Sequence, residues 1–207
     1  MTTIARRKLG LTHTTVHSAG GYTLYAPQTG GGRIPIIDAQ GHVVHEWHMP
    51  VRPGRDAVIL PNGNLGYNGC HNTSVDLYPP WDIWHGGHFM EATKDSDIVW
   101  EYEDPYAHHD AQWLKDGSLL YVAAAEYQMG RYSDIVKMVN RKGEVIWEWC
   151  AWEHITEEQF PVHEGMPDNH WPMINGVHLH GNIVYMSLRN TSGCLLYTSP
   201  SPRDNTG

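Results

Sequence analysis

The sequence SDIVKMVNRKGEVIWEW at positions 133–149 is the clearest copy of a unit that recurs along the chain. A run rich in branched apolar residues (134–140) precedes the turn sequence RKG (141–143), and apolar residues alternate with glutamate after it (144–149), which is typical of a β-hairpin. Two earlier stretches end in the same form, IPIIDAQGHVVHEW at 34–47 and FMEATKDSDIVWEY at 89–102. Aligning the glutamate before the last aromatic residue makes three positions equivalent, namely Glu46, Glu101 and Glu148.

A second hairpin pattern follows these units. AVILPNGNLGY (57–67) and AQWLKDGSLLYV (111–122) share a central Asn-Gly or Asp-Gly, and VHLHGNIVYMS (177–187) is a weaker copy. Asn-Gly and Asp-Gly favour tight hairpin turns because these residues accept a positive φ. Four short strands repeated every roughly 40–50 residues are typical of a β-propeller. The sequence therefore predicts an all-β fold, an incomplete β-propeller of about three to four blades over 22–193. A generic antiparallel sandwich is the alternative.

The composition excludes several classes of protein. The chain has 207 residues, with 23 acidic against 14 basic side chains and a formal charge of −9. This balance argues against a nucleic acid or an anionic membrane as a partner. No apolar run approaches the roughly 20 residues that span a bilayer, and the first residues lack the apolar segment of a signal peptide. The three cysteines form no CxxC pair. We expect a cytoplasmic protein.

The two ends of the sequence differ from the repeats. Residues 1–21 are polar, and we expect a poorly ordered lead-in. CLLYTSPSPRD at 194–204 has no periodicity, and it matches the in-frame translation of a transposon adapter used to prepare sequencing libraries. An ordinary disordered Ser/Pro-rich tail is the alternative. We therefore predict that 194–207 is a non-native tail and that 22–193 is a fragment of a longer protein, itself inactive.

Histidines are the first candidates for chemistry. His108 and His109 lie between a turn-prone Asp-Pro segment and a strand, and Asp110 is placed to orient an imidazole. Adjacent residues of a strand point to opposite faces, so we expect at most one of the two in a pocket. The alternative is one solvent-facing histidine and one buried, hydrogen-bonded histidine.

Metal binding is a less favoured interpretation of the other histidines. The pairs His85/His88 and His178/His180 suggest ligands, but no carboxylate or cysteine recurs at a fitting spacing. His42, His45 and His48 are expected on the surface. We predict no metal and no cofactor.

Asn175 and Arg189 are the other candidate pair. Asn175 follows WPMI, and Arg189 follows the apolar run 183–188. An arginine at the end of an apolar strand is suited to hold an oxyanion through its rigid fork of donors. A salt-bridged surface arginine is the alternative.

Taken in order, these motifs resemble the arylsulfotransferase (aryl-sulfate sulfotransferase) family. The resemblance rests on HHD, LKDGSL, KGEVIWEW, WPMINGV and SLRN, and it covers about 22–190. It implies a six-bladed propeller that moves a sulfuryl group from an aryl sulfate to a phenol through a sulfated histidine, without a metal or a nucleotide donor. By motif position it makes His108 or His109 catalytic, and it makes Asn175 and Arg189 sulfate-binding.

The sequence departs from the family at two points. Met173 stands where the family usually has a histidine, and the family's nucleophilic histidine lies in a later blade that has no counterpart here. Because methionine neither takes a proton nor binds an oxyanion well, Met173 favours an alternative in which a non-catalytic propeller binds a small ligand or a protein partner.

Overall fold

The computed structural model describes Thr15, His17, 19–71 and 86–198, and β-strands are the main regular secondary structure of these residues. The first sheet contains β1 (Thr23–Leu24), β2 (Arg33–Ile37) and β3 (Val43–His48). The second contains β4 (Pro53–Ile59), β5 (Leu65–Cys70), β6 (Gly87–Ala92) and β7 (Ile98–Glu103). The third contains β8 (Ala107–Trp113), β9 (Leu119–Gln128), β10 (Arg131–Val139) and β11 (Val145–Cys150). The fourth contains β12 (Ile174–His180), β13 (Ile183–Leu188) and β14 (Gly193–Thr198).

Each sheet is an antiparallel meander of strands that are consecutive in the chain. The prediction of an all-β chain built from repeated hairpins is therefore confirmed. Gly63, Gly117 and Gly143 occupy the turns with φ of 84°, 86° and 81°, so three hairpins use the same turn geometry. Glycine adopts this left-handed conformation without the steric cost that a Cβ brings.

Hydrophobic clusters lie between consecutive sheets. The first and second sheets share a cluster around Ile34, Trp47 and Leu65, and the second and third share one around Phe89 and Tyr121. The third and fourth sheets share the largest cluster, whose buried members are Leu120, Val122, Val136, Met138, Trp149, Ala151, Ile155, Trp171, Ile174, Val177, Val184, Met186 and Leu188. The sheets thus pack in chain order, each against the next.

Indole N–H groups also connect neighbouring sheets. Trp47 Nε1 donates to the carbonyl of Thr93, and Trp100 Nε1 donates to the carbonyl of Arg141, both at 2.8 Å. Both carbonyls belong to the turn before the last strand of the following sheet. In the third sheet the position equivalent to Trp47 is Trp149, whose buried Nε1 has no acceptor within the described part of the chain.

Substituting Trp47 tests this connection. Trp47→Phe and Trp149→Phe remove similar volumes from equally buried positions, but only the first breaks a hydrogen bond. We expect Trp47→Phe to lower the free energy of unfolding by about 1 kcal/mol more than Trp149→Phe, the net worth of one hydrogen bond. Urea unfolding of the two variants measures the difference. Equal losses of unfolding free energy in the two variants would show that the hydrogen bond from Trp47 makes no net contribution to stability.

The remaining elements are short. A helix, α1 (Ala151–His154), follows β11. None of the helices among the described residues is long and apolar enough to cross a membrane. The predicted lead-in 1–21 is largely outside the described residues, as are His85 and positions 199–207.

The end of the last sheet differs from the sequence prediction. We expected the fold to stop near Gly193, but β14 continues to Thr198 and pairs with β13 from Ile183↔Thr198 to Leu188↔Gly193. Alternate residues of this strand are partly buried. The reason is that Leu195 and Tyr197 pack against the cluster shared by the third and fourth sheets. The non-native origin of this segment stays a prediction.

Candidate functional site

The first strands of the second, third and fourth sheets are each irregular at the same repeat position. Pairing shifts between Pro53 and Ala57 in β4, between Ala107 and Ala111 in β8, and between Ile174 and Gly176 in β12. Such bulges bend a strand and re-aim its side chains, and they are frequent beside active sites. Equivalent residues of the three bulges are Arg55, His109 and Asn175.

The bulges of β8 and β12 lie side by side. Asp110 Oδ2 accepts a hydrogen bond from Val177 N at 2.8 Å, and Gln112 Oε1 accepts one from Leu179 N at 2.6 Å. Side chains of the third sheet therefore bind the backbone of the first strand of the fourth.

Asp134 on β10 is the buried centre of the site. Its side chain has no exposed area, and its Oδ1 lies 2.9 Å from His170 Nε2 and 3.2 Å from His108 Nε2. Its Oδ2 accepts a hydrogen bond from Ile174 N at 3.0 Å. One carboxylate thus joins β8, β10 and the segment that leads into β12.

The two adjacent histidines contact each other. His108 Nδ1 lies 2.9 Å from His109 Nδ1, and the rings are perpendicular with centroids 5.1 Å apart. His109 has φ of 57°, a strained value for a residue with a side chain. The expectation that they point to opposite faces is wrong, because the bulge interrupts the alternation of the strand. The histidine-and-aspartate cluster comprises Arg55, Asp56, His108, His109, Asp110, Asp134 and His170, and it is called the bulge cluster below.

Burial dominates the protonation of the histidines. It lowers the pKa of His109 to about 2, helped by His108 and by the cation Arg55. Burial also lowers the pKa of His108, against the opposing effect of Asp134. Burial raises the pKa of Asp134, but His170 and His108 beside it outweigh burial and hold the pKa below its usual range. At neutral pH the site therefore holds an ionised Asp134 beside the neutral imidazoles of His108 and His109.

The bulge of β4 adds charges of both signs. Burial raises the pKa of Asp56 to about 6, and the negative charge of Asp110 raises it further. Asp56 is nevertheless exposed. This end of the cluster is therefore accessible to solvent. Burial lowers the pKa of Arg55, whereas Asp110 and Asp56 raise it; arginine stays protonated in proteins.

Asn175 and Arg189 are neighbours at the edge of this region. Arg189 N donates to the carbonyl of Met173 at 2.8 Å, beside the pair Ile174↔Leu188. Both side chains are exposed, and neither makes a side-chain hydrogen bond or ion pair with another residue of 19–71 or 86–198. Met173 is buried. The structure thus joins His108 to His109, whereas Asn175 and Arg189 are near each other only through the backbone; no side-chain contact within 19–71 or 86–198 links either of them to the two histidines.

The other predicted histidines lie away from the cluster. His178 and His180 are exposed on β12, and His88 pairs with Glu101 and Glu103. His42 and His48 are exposed as expected, but His45 is partly buried with its ring against Trp47.

Asp134 and His170 were missed by the sequence reasoning. Asp134 precedes Glu148 by the same 14 residues that separate Gly32 from Glu46 and Gly87 from Glu101. Comparing the repeats at this offset would have found a charged residue at a glycine position of the repeat. A residue that departs from the pattern of its repeat often marks a functional site. For His170 the sequence carries no comparable signal.

Fold and site together define an all-β protein of four consecutive antiparallel sheets, with a buried histidine–aspartate cluster at the bulged first strands. No family model matches the chain, and no curated protein matches it.

Proposed function

We propose that the sheets are successive blades of a β-propeller and that the chain is part of a sulfuryl-transfer enzyme similar to the arylsulfotransferases. Packing supports the propeller, because a hydrophobic cluster lies between each pair of consecutive sheets. A sandwich instead packs two sheets around one core. The contacts between β8 and β12 further support first strands that gather around a common hollow.

The proposed reaction has two steps. A histidine nitrogen attacks the sulfur of an aryl sulfate, the S–N bond forms, and the aryl S–O bond breaks to release a phenol. A second phenol then attacks the same sulfur and restores the histidine, with its proton passing to a base. Sulfuryl transfer resembles phosphoryl transfer in spreading charge over equatorial oxygens, so positioned donors supply most of the catalysis. The resemblance implies that the nucleophile lies in a later blade.

The observation that carries this proposal is the bulge of β8. It holds His109 as a neutral, partly exposed imidazole, and the positive charge of Arg55 helps to lower its pKa. An imidazole with a pKa of about 2 is a weak proton acceptor at neutral pH. His109 is therefore suited to donate a hydrogen bond to sulfate rather than to relay the proton of the phenol.

Asn175 and Arg189 would supply the remaining donors. Their exposed side chains lie at adjacent positions of β12 and the β13–β14 turn. A guanidinium without an ion pair among the described residues keeps its donors available for a sulfate, in the bidentate arrangement that oxyanions favour. Tyrosine and tryptophan at the rim would stack on the aryl group.

Arg189→Ala tests the enzyme. In the parent protein, in which we propose that the repeats continue, 4-nitrophenyl sulfate should be turned over with a phenolic acceptor, and we expect Arg189→Ala to lower kcat/KM by about 100-fold. Release of 4-nitrophenol measures the rate. Arg33→Ala is the matched control, because Arg33 is an exposed arginine paired with Glu46 on the first sheet. Equal rates for both variants would exclude Arg189 from the sulfate site, and no turnover with any phenol would exclude the enzyme.

A non-catalytic propeller that binds a small ligand is the second candidate. Burial of Met173 favours it, since a thioether at this position leaves no acid or base where the family has a histidine. Asp56 and Asp110 also make the accessible end of the cluster acidic, which disfavours an anion. Titrating the protein with inorganic sulfate separates the two. Binding lost in Arg189→Ala favours the sulfate pocket, and no binding favours the second candidate.

A further inference from the structure

Three buried side chains from different parts of the chain direct ligand atoms at one another. His108 on β8, Asp134 on β10 and His170 before β12 each offer one nitrogen or oxygen, and all three atoms lie within 4.8 Å of one another. The residues have at most 8% of their side-chain area exposed. Two imidazoles and one carboxylate are a common ligand set for divalent transition metals.

The distances around Asp134 Oδ1 are compatible with a coordination shell as well as with hydrogen bonds. Ligand atoms about 2.0–2.2 Å from a shared ion lie roughly 3 Å apart at the angles of tetrahedral or octahedral geometry. Asp134 Oδ1 is 2.9 Å from one imidazole nitrogen and 3.2 Å from the other. His108 Nε2 makes no hydrogen bond of acceptable geometry, although it is buried and close to the carboxylate. It is thus a buried polar atom aimed at the site without a hydrogen-bond partner.

We propose that His108, Asp134 and His170 bind a divalent transition-metal ion such as Zn²⁺. Imidazole nitrogens favour Zn²⁺ and its neighbours over Mg²⁺ and Ca²⁺, which take oxygen ligands. Neighbouring groups orient the ligands, since Asp134 Oδ2 accepts a hydrogen bond from Ile174 N and His108 Nδ1 contacts His109 Nδ1. Three protein ligands leave a position for water. The ion would link the third sheet to the segment leading into the fourth, whether or not the protein transfers sulfate.

Among the described residues this ligand group occurs once, and the repeat explains why. Gly32 and Gly87 take the position of Asp134 in the first two sheets, and they have φ of 90° and 99°. A Cβ at either glycine would lie within 2.2 Å of a backbone carbonyl oxygen. Asp134 has no positive φ, and it lies in the longer strand β10, so a side chain is accommodated there. The third sheet therefore has a carboxylate at the repeat position where the first two sheets have glycine, and this carboxylate and two histidines form the proposed ligand set.

The experiment uses the tag-free chain after removal of metals with a chelator. Titration with Co²⁺ should give one equivalent of visible absorption, and Zn²⁺ should abolish it by displacement. Paramagnetic shifts of the imidazole signals identify the ligands without any substitution, and we expect them on His108 and His170. His170→Gln should weaken Co²⁺ binding by at least about 100-fold, following the losses seen when a ligand set is disrupted.

The control removes the exposed histidines of β12. His178→Gln with His180→Gln should leave the absorption and its affinity unchanged, because these side chains lie away from Asp134. Absence of Co²⁺ absorption in the wild-type chain would overturn the proposal and leave a hydrogen-bonded histidine–aspartate network. Shifts on His178 and His180, or binding lost only in the control variant, would overturn it equally. If His170→Gln fails to fold, the wild-type ligand assignment decides.

Discussion

Asp134→Ala should lower the free energy of unfolding by about 3–5 kcal/mol, because it removes the common partner of three buried groups. Asp134 accepts from Ile174 N and lies within 3.2 Å of both His108 and His170. Without the carboxylate, each of these buried polar groups keeps its desolvation cost and loses the interaction that offsets it. Chemical denaturation in the presence of a chelator measures the loss, so that it reports the protein groups alone.

Asp95→Ala is the matched control for this substitution. Asp95 lies in the turn between β6 and β7, its side chain is 68% exposed, and its ion pair is with the neighbouring Lys94. Exposed pairs of this kind contribute about 0–1 kcal/mol. A loss below about 1 kcal/mol for Asp134→Ala, comparable with the control, would mean that the buried carboxylate does not hold the third sheet to the segment before the fourth.

Gly32→Ala should lower the free energy of unfolding by about 3 kcal/mol. Gly32 has φ of 90°, and an added Cβ would lie 2.2 Å from the carbonyl oxygen of Met49. The left-handed conformation costs a residue with a Cβ about 1–2 kcal/mol, and the backbone shift that relieves the contact adds about 1–3 kcal/mol. The Gly32 carbonyl accepts from Met49 N at 2.8 Å, so that shift also disturbs a hydrogen bond at the end of the first sheet.

Gly63→Ala separates the two contributions. Gly63 has φ of 84°, and a Cβ there would meet no atom within 4 Å. It should therefore show only the conformational cost, about 1–2 kcal/mol. Thermal unfolding of both variants provides the comparison. Equal losses at Gly32 and Gly63 would show that the close approach to Met49 is relieved without cost.

Much of the local structure follows from the sequence. Alternation of apolar and polar residues, together with Gly63, Gly117 and Gly143, placed the hairpins and their turns close to where they occur. These features are local, since strand periodicity and turn conformation depend on residues a few positions apart. The sequence also placed His108 and His109 at the start of a strand, where the structure has them.

Which residues form the site depends on the tertiary structure. His108, Asp134 and His170 are 26 and 36 residues apart in sequence, and they meet because the third sheet packs against the segment before the fourth. The bulge of β8 turns two adjacent histidines toward each other, against the alternation that a regular strand imposes. Arg55 joins them from another sheet.

The sequence by itself determined an all-β chain of repeated hairpins, because each hairpin is specified by its own turn and its own periodicity. Only the tertiary structure decided which side chains share a buried site, because that depends on how sheets pack over long separations and on a bulge whose position no periodic pattern specifies. Asp134 illustrates both levels. Its position in the repeat can be identified from the sequence, but only the packing of the sheets shows that His108 and His170 are its partners.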